Sequence, residues 1–125
     1  MQIGMLISSA AVIRPTWTTA HLAHAALLAG HTVRFFEPSS MEVTVQGRVV
    51  VKAHVLDAPL GSPTDVADKL ANHRLTRRYV DIGGLGLLLM RANPLTNTVQ
   101  NLALMAMERG VRVVNDPTGI ALTRS

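Results

Sequence analysis

The sequence predicts an α/β fold: a mainly parallel sheet flanked by helices, with one added β-hairpin. Three observations predict it. Leu87 to Met90 is an uninterrupted apolar run, the signature of a strand buried on both faces. Each half of the chain follows one order (strand, polar connection, helix, glycine, strand), which is the βαβ pattern of a doubly wound, Rossmann-like sheet. Between the halves, Val43-Thr44-Val45, Gln46-Gly47 and Arg48 to Val55 read as two strands joined by a tight turn.

Met1 to Ile7 supplies the first strand through Ile3, Met5, Leu6 and Ile7. Ser8 to Thr19 is a polar, small-residue connection interrupted by Pro15. A helix is expected from about Thr18 to Ala29, with Thr18 or Thr19 as its cap, Leu22, Ala25, Ala26 and Ala29 at helical spacing, and Leu27 and Leu28 beside them. Gly30 ends it, and Val33, Phe35 and Phe36 make the second strand after a crossover expected to be right-handed. Two prolines and a glycine between Ala58 and Pro63 mark a loop. Thr64 to Asn72 reads as a short helix capped by Ser62 or Thr64. Arg74 to Gly84 carries no decisive pattern. After the Leu87–Met90 strand, a helix from about Thr98 to Arg109 buries Val99, Leu102, Ala103 and Ala106. Gly110 closes it, and Val111 to Val114 is the last strand.

A chain of 125 residues suits one domain, and a 48% apolar composition can fill a core. The absence of cysteine excludes disulfides and thiolate chemistry. No basic region precedes the apolar start, and no apolar run approaches the ~20 residues of a membrane helix, so a soluble, cytoplasmic protein is expected. The net charge is +4, with Lys69, Arg74, Arg77 and Arg78 as its densest cluster. Only Tyr79 adjoins that cluster and no RNA-stacking motif is present, so a solvated loop is preferred to a nucleic-acid surface.

In an open parallel sheet, ligands bind beyond the carboxyl ends of the strands. Arg91 and Asn93 follow the buried strand directly, and Pro94 stops its ladder. The guanidinium of Arg91 offers a planar fork of donors suited to carboxylate or phosphate. Ser8, Thr18 and Thr19 lie on the connection after the first strand, where hydroxyls and a helix N-terminus favour an anion. The bland alternatives are loop hydrogen bonds for Arg91 and capping for the hydroxyls.

Other patterns carry less. Gly83-Gly84-Leu85-Gly86 precedes a strand instead of opening a helix, so it reads as a structural turn. His21, His24 and His31 lack a neighbouring carboxylate, and no metal site is assigned. The eight acidic residues form no catalytic pair, and no nucleophile–base set can be placed, so no catalytic residue is assigned.

Met90-Arg91-Ala92-Asn93-Pro94 resembles the Met-Arg-Lys-Asp-Pro-Pro-Phe-Asp motif of bacterial glutathione synthetases. Val113-Val114-Asn115-Asp116-Pro117 is similar to that family's Ile-Val-Asn-Lys-Pro segment, and the hairpin around Gln46-Gly47-Arg48 falls in the same order. The resemblance covers most of the chain and is weakest from Asp57 to Gly84. It implies the N-terminal, pre-ATP-grasp domain of a carboxylate–amine ligase, inactive alone and contributing to substrate binding and dimerisation. It adds Asn115 to the substrate-binding candidates. ATP and Mg2+ would be bound mainly by an ATP-grasp domain in the longer gene product. The motif's departures from the family include Ala92 for Lys, Asn93 for Asp, Leu95 for the second Pro, and Asn97 for the last Asp. The arginine stays and two carboxylates become amides, so a different acyl or amine substrate is expected. Met105 and Met107 suggest either a dimer surface or extra core packing. Two other functions fit the residues: a standalone small-ligand or protein-interaction module, and a basic nucleic-acid-binding domain.

Overall fold

The computed structural model describes residues 1–7, 18–72, 75–91 and 97–115. The strands are β1 (Gln2–Leu6), β2 (Thr32–Phe36), β3 (Glu42–Val43), β4 (Val49–Leu56), β5 (Arg77–Asp81), β6 (Leu87–Met90) and β7 (Arg112–Asn115). The helices are α1 (Thr18–Leu28), α2 (Pro63–Ala71) and α3 (Asn97–Glu108), with short 3-10 turns at Pro38–Ser40 and Ile82–Gly84.

All seven strands join one sheet. β2, β1, β6 and β7 are neighbours in that order and run parallel. β4 continues the sheet antiparallel beside β2, and β3 and β5 pair antiparallel with β4. The α/β class and the added hairpin agree with the sequence, while the sheet is mixed. Its parallel block holds three pairings, and the β3–β4–β5 extension holds three antiparallel ones.

Two cores follow from side-chain alternation along the strands. On one face Ile3, Met5, Val33 and Phe35 meet Ala20, Ala23 and Leu27 of α1 and Val66 and Leu70 of α2. On the other, Leu6, Phe36, Leu88 and Met90 meet Val99, Leu102 and Ala106 of α3 together with Val49, Val51 and Ala53 of β4. β6 is covered on both faces: Leu88 and Met90 are fully buried in the second core, and Leu87 and Leu89 pack against the first.

The phase of α1 differs from the expected one. Thr19, Ala20, Ala23 and Leu27 are buried, whereas Leu22 is 38% exposed and Leu28 63% exposed. α1 holds no charged residue and is apolar on most sides, so hydrophobic spacing alone does not select a face. The stripe of α3 is as expected, with Val99, Leu102 and Ala106 buried and Ala103 packed beside them. Met105 joins the core margin, while Met107 is 49% exposed.

Local signals place most boundaries. The Ser62 hydroxyl accepts from the Asp65 N–H at 3.3 Å and caps α2, with Pro63 in its first turn. Gly30 and Gly110 adopt φ of 89° and 82°, and the next residues, His31 and Val111, each donate back to a carbonyl five residues earlier. That is a Schellman closure, which needs a left-handed residue after the helix.

Two segments depart from expectation. β3 ends at Val43, and Thr44 to Arg48 form the loop, closed by Thr44 N–H to Arg48 O at 2.8 Å and Gly47 N–H to Thr44 O at 2.9 Å. Val45 is therefore a turn residue, fully exposed. Arg77 and Arg78, expected in a solvated loop, lie on β5. They remain exposed, but their backbone pairs with His54 and Ala53 of β4, a contact that depends on the long-range partner. Arg74 lies outside the described residues.

Candidate functional site

The parallel block brings four strand ends to one edge. Phe36, Leu6, Met90 and Asn115 are register partners and form one rung across β2, β1, β6 and β7. Arg91 is the first residue past that rung on β6, and its N–H donates to the Leu6 carbonyl at 2.8 Å. Its backbone is thus fixed by the ladder of the neighbouring strand.

The Arg91 side chain reaches the start of α1. Its Nε donates to the Thr19 hydroxyl at 3.1 Å, across 72 residues of sequence. Thr19 is buried and Arg91 is partly buried. Two features of positive character therefore meet: a guanidinium restrained through Nε, and the amino end of α1, whose first N–H groups have no partner within the helix. That arrangement suits an anionic group, and a carboxylate or phosphate would match the planar fork.

The other expected residues fall as follows. Thr18 opens α1 and is exposed at the same edge. Asn115 stands at the edge by register with Met90. Ser8 and Asn93 lie outside the described residues. Glu37 is a candidate that sequence reasoning missed. It follows β2 directly, beside Ile7, whose N–H donates to the Phe36 carbonyl at 2.9 Å. Its signal was the pattern that exposed Arg91: an apolar strand, a charged residue, then a nearby proline, Pro38. Strand spacing puts Glu37 and Arg91 on either side of β1, with backbones about 10 Å apart.

The glycine run behaves as a turn. Ile82–Gly84 forms the 3-10 turn before β6, and Asp81 Oδ1 accepts from the Gly83 N–H at 2.8 Å. His24 Nε2 bonds the Leu60 carbonyl at 3.1 Å, and His31 Nδ1 lies 3.0 Å from the N-terminal amine. Among the described residues, no three His, Asp or Glu side chains gather as a metal site.

A family model described as the prokaryotic glutathione synthetase N-terminal domain matches residues 1–121. The chain belongs to that family. In this glutathione synthetase N-terminal domain, the arginine of the motif, Arg91, bonds Thr19 of the first helix. The family match reaches both halves of the βαβ pattern and the intervening hairpin. Comparison with individual curated proteins gives no match. Among the described residues, no helix is long and apolar enough to cross a membrane.

Proposed function

We propose that this domain binds the peptide or acyl substrate of a cytoplasmic, ATP-dependent carboxylate–amine ligase at the carboxyl edge of β1, β2 and β6. The observation that carries the proposal is the Arg91–Thr19 hydrogen bond, which joins the motif arginine to the first helix at that edge. Arg91 holds a substrate carboxylate, and the amino end of α1 with Thr18 and Thr19 adds to the positive field. Ser8, Asn93 and Asn115 are further substrate-binding residues in this proposal. ATP and Mg2+ supply the acyl-phosphate chemistry from an ATP-grasp region of the longer gene product, and the domain alone is not catalytic. Dimerisation belongs to the same proposal, with Leu104 and Met107 of α3 available at 53% and 49% exposure.

The test is steady-state kinetics of the longest gene product. Arg91→Ala should raise KM for the carboxylate substrate about tenfold or more, the equivalent of one charge-assisted hydrogen bond. An unchanged KM in a folded variant would remove Arg91 from the site.

The motif departures bear on the substrate. Asn93 and Asn97 stand where the family motif has carboxylates, so fewer anionic groups face a substrate ammonium. The enzyme is accordingly proposed to prefer a substrate other than γ-glutamylcysteine plus glycine. Efficient glutathione formation from that pair would refute this preference while leaving the site itself intact.

A further inference from the structure

The rung just beyond the last paired residues carries charges of both signs on one face of the sheet. Ile7 N–H donates to the Phe36 carbonyl at 2.9 Å, and Arg91 N–H donates to the Leu6 carbonyl at 2.8 Å. The parallel ladder therefore continues one residue past Phe36, Leu6 and Met90, onto Glu37, Ile7 and Arg91. Alternation then sets the face. Phe36, Leu6 and Met90 belong to the core under α3, so the residues after them turn toward α1. Ile7 does so, 1% exposed among the core residues on the α1 side. Arg91 does so, since its Nε reaches Thr19. Glu37 is extended, with φ −101° and ψ 152°, which carries the same alternation past the end of β2. Glu37 and Arg91 are each half-buried.

A carboxylate and a guanidinium thus stand on the α1 side two strand spacings apart, about 10 Å, with the apolar Ile7 between them. A ligand carrying only a carboxylate would use Arg91 and be repelled by Glu37. A ligand that also carries an ammonium satisfies both ends, each through a charge-assisted hydrogen bond. Ile7 offers that ligand no polar side-chain group, so the part crossing it is a carbon chain. Met90–Pro94 contains no carboxylate in this chain, and Glu37 supplies one from a different strand.

We infer that Glu37 is a specificity-determining residue of this edge, selecting a ligand that is a zwitterion: an amino acid, or the amino-acid end of a peptide, with its carboxylate on Arg91 and its ammonium on Glu37. The inference rests on the reading of this edge as the substrate site and adds the second charge to it.

The test is a 1H–15N NMR titration of the protein at neutral pH and matched ionic strength. The probes are two amino acids, L-alanine and γ-aminobutyrate, and their counterparts without the amine, propionate and butyrate. Signals of Arg91 Nε–H and the Ile7 amide report on the rung. Propionate and butyrate should give saturable shifts that Arg91→Gln abolishes. At least one amino acid should bind about tenfold tighter than its counterpart, the gain of one charge-assisted hydrogen bond. Glu37→Gln should erase that gain without weakening propionate or butyrate, and Glu37→Asp should keep part of it. Amino acids that bind the parent protein no tighter than their counterparts would overturn the inference and leave the Arg91 edge intact. A folded Glu37→Gln variant that weakens all four probes alike would do the same. Carboxylates that never saturate, or that bind Arg91→Gln undiminished, would instead remove the edge itself, and the inference with it.

Discussion

Thr19 and Asp57 each join distant parts of this chain through side-chain oxygens. The Thr19 hydroxyl receives Arg91 Nε inside a buried setting. Thr19→Val keeps the branched shape but removes that acceptor, so it should cost about 1–2 kcal/mol of stability. It should also raise KM for the carboxylate substrate, because the guanidinium loses a restraint. Chemical denaturation and kinetics on the same variant check both effects. Asp57 has its carboxyl pKa lowered from the ordinary value of 3.8, first by the Arg34 hydrogen bond, against an opposing desolvation, with Arg34 and Arg78 charges adding. A lowered folded-state pKa stabilises the fold above the unfolded value, and the benefit fades as pH falls through the folded value. Asp57 is half-exposed, so screening reduces the gain to about 1 kcal/mol. Asp57→Asn should therefore be less stable than the parent at neutral pH. The gap should narrow only below about pH 4, which urea melts across that range would show.

At the scale of elements, helix ends are set by local chemistry, and a helix face is set by it only where polar residues contrast with apolar ones. Gly110 sits after α3 at φ 82°, with its N–H donating to Met107 and the next N–H, that of Val111, to Ala106. Gly110→Ala forces a left-handed alanine and should cost about 1 kcal/mol, read as a lower Tm with unchanged helical content. The boundaries of α2 and α3 were legible to within a residue or two because Ser62, Pro63 and Gly110 act through neighbours in sequence. The buried face of α3 was legible too, since Asn101, Glu108 and other polar residues mark its outer side. α1 offered no such contrast: its exposed Leu22 and Leu28 are as apolar as its buried Leu27. β5 was hidden for another reason. Arg77-Arg78-Tyr79 has no alternation of buried residues, and pairing with β4 holds the strand, aided by Lys52 Nζ 5.6 Å from the Tyr79 ring centre.

At the scale of the molecule, β1 and β6 lie inside the sheet with hydrogen-bonded neighbours on both sides. Their side chains are split between two cores, so opening either strand exposes both. Amide exchange should be slowest in Gln2–Leu6 and Leu87–Met90, at rates set by global unfolding. The Thr44–Arg48 loop and the Arg77–Asp81 strand should exchange far faster. Protection spread evenly over all seven strands would contradict this layered account.

By itself, the sequence determined the α/β class, the two βαβ halves, the hairpin and the suspicion attached to Arg91, because alternation, helix ends and strand ends are properties of neighbouring residues. The family motif at Met90–Pro94 is likewise contiguous. Only the tertiary structure decided which hydroxyl Arg91 meets, that Glu37 shares its edge, which side of α1 is buried, and that Arg34, Asp57 and Arg78 form one ionic cluster. Those outcomes depend on register between strands distant in sequence, and register is fixed by how two cores close around one sheet.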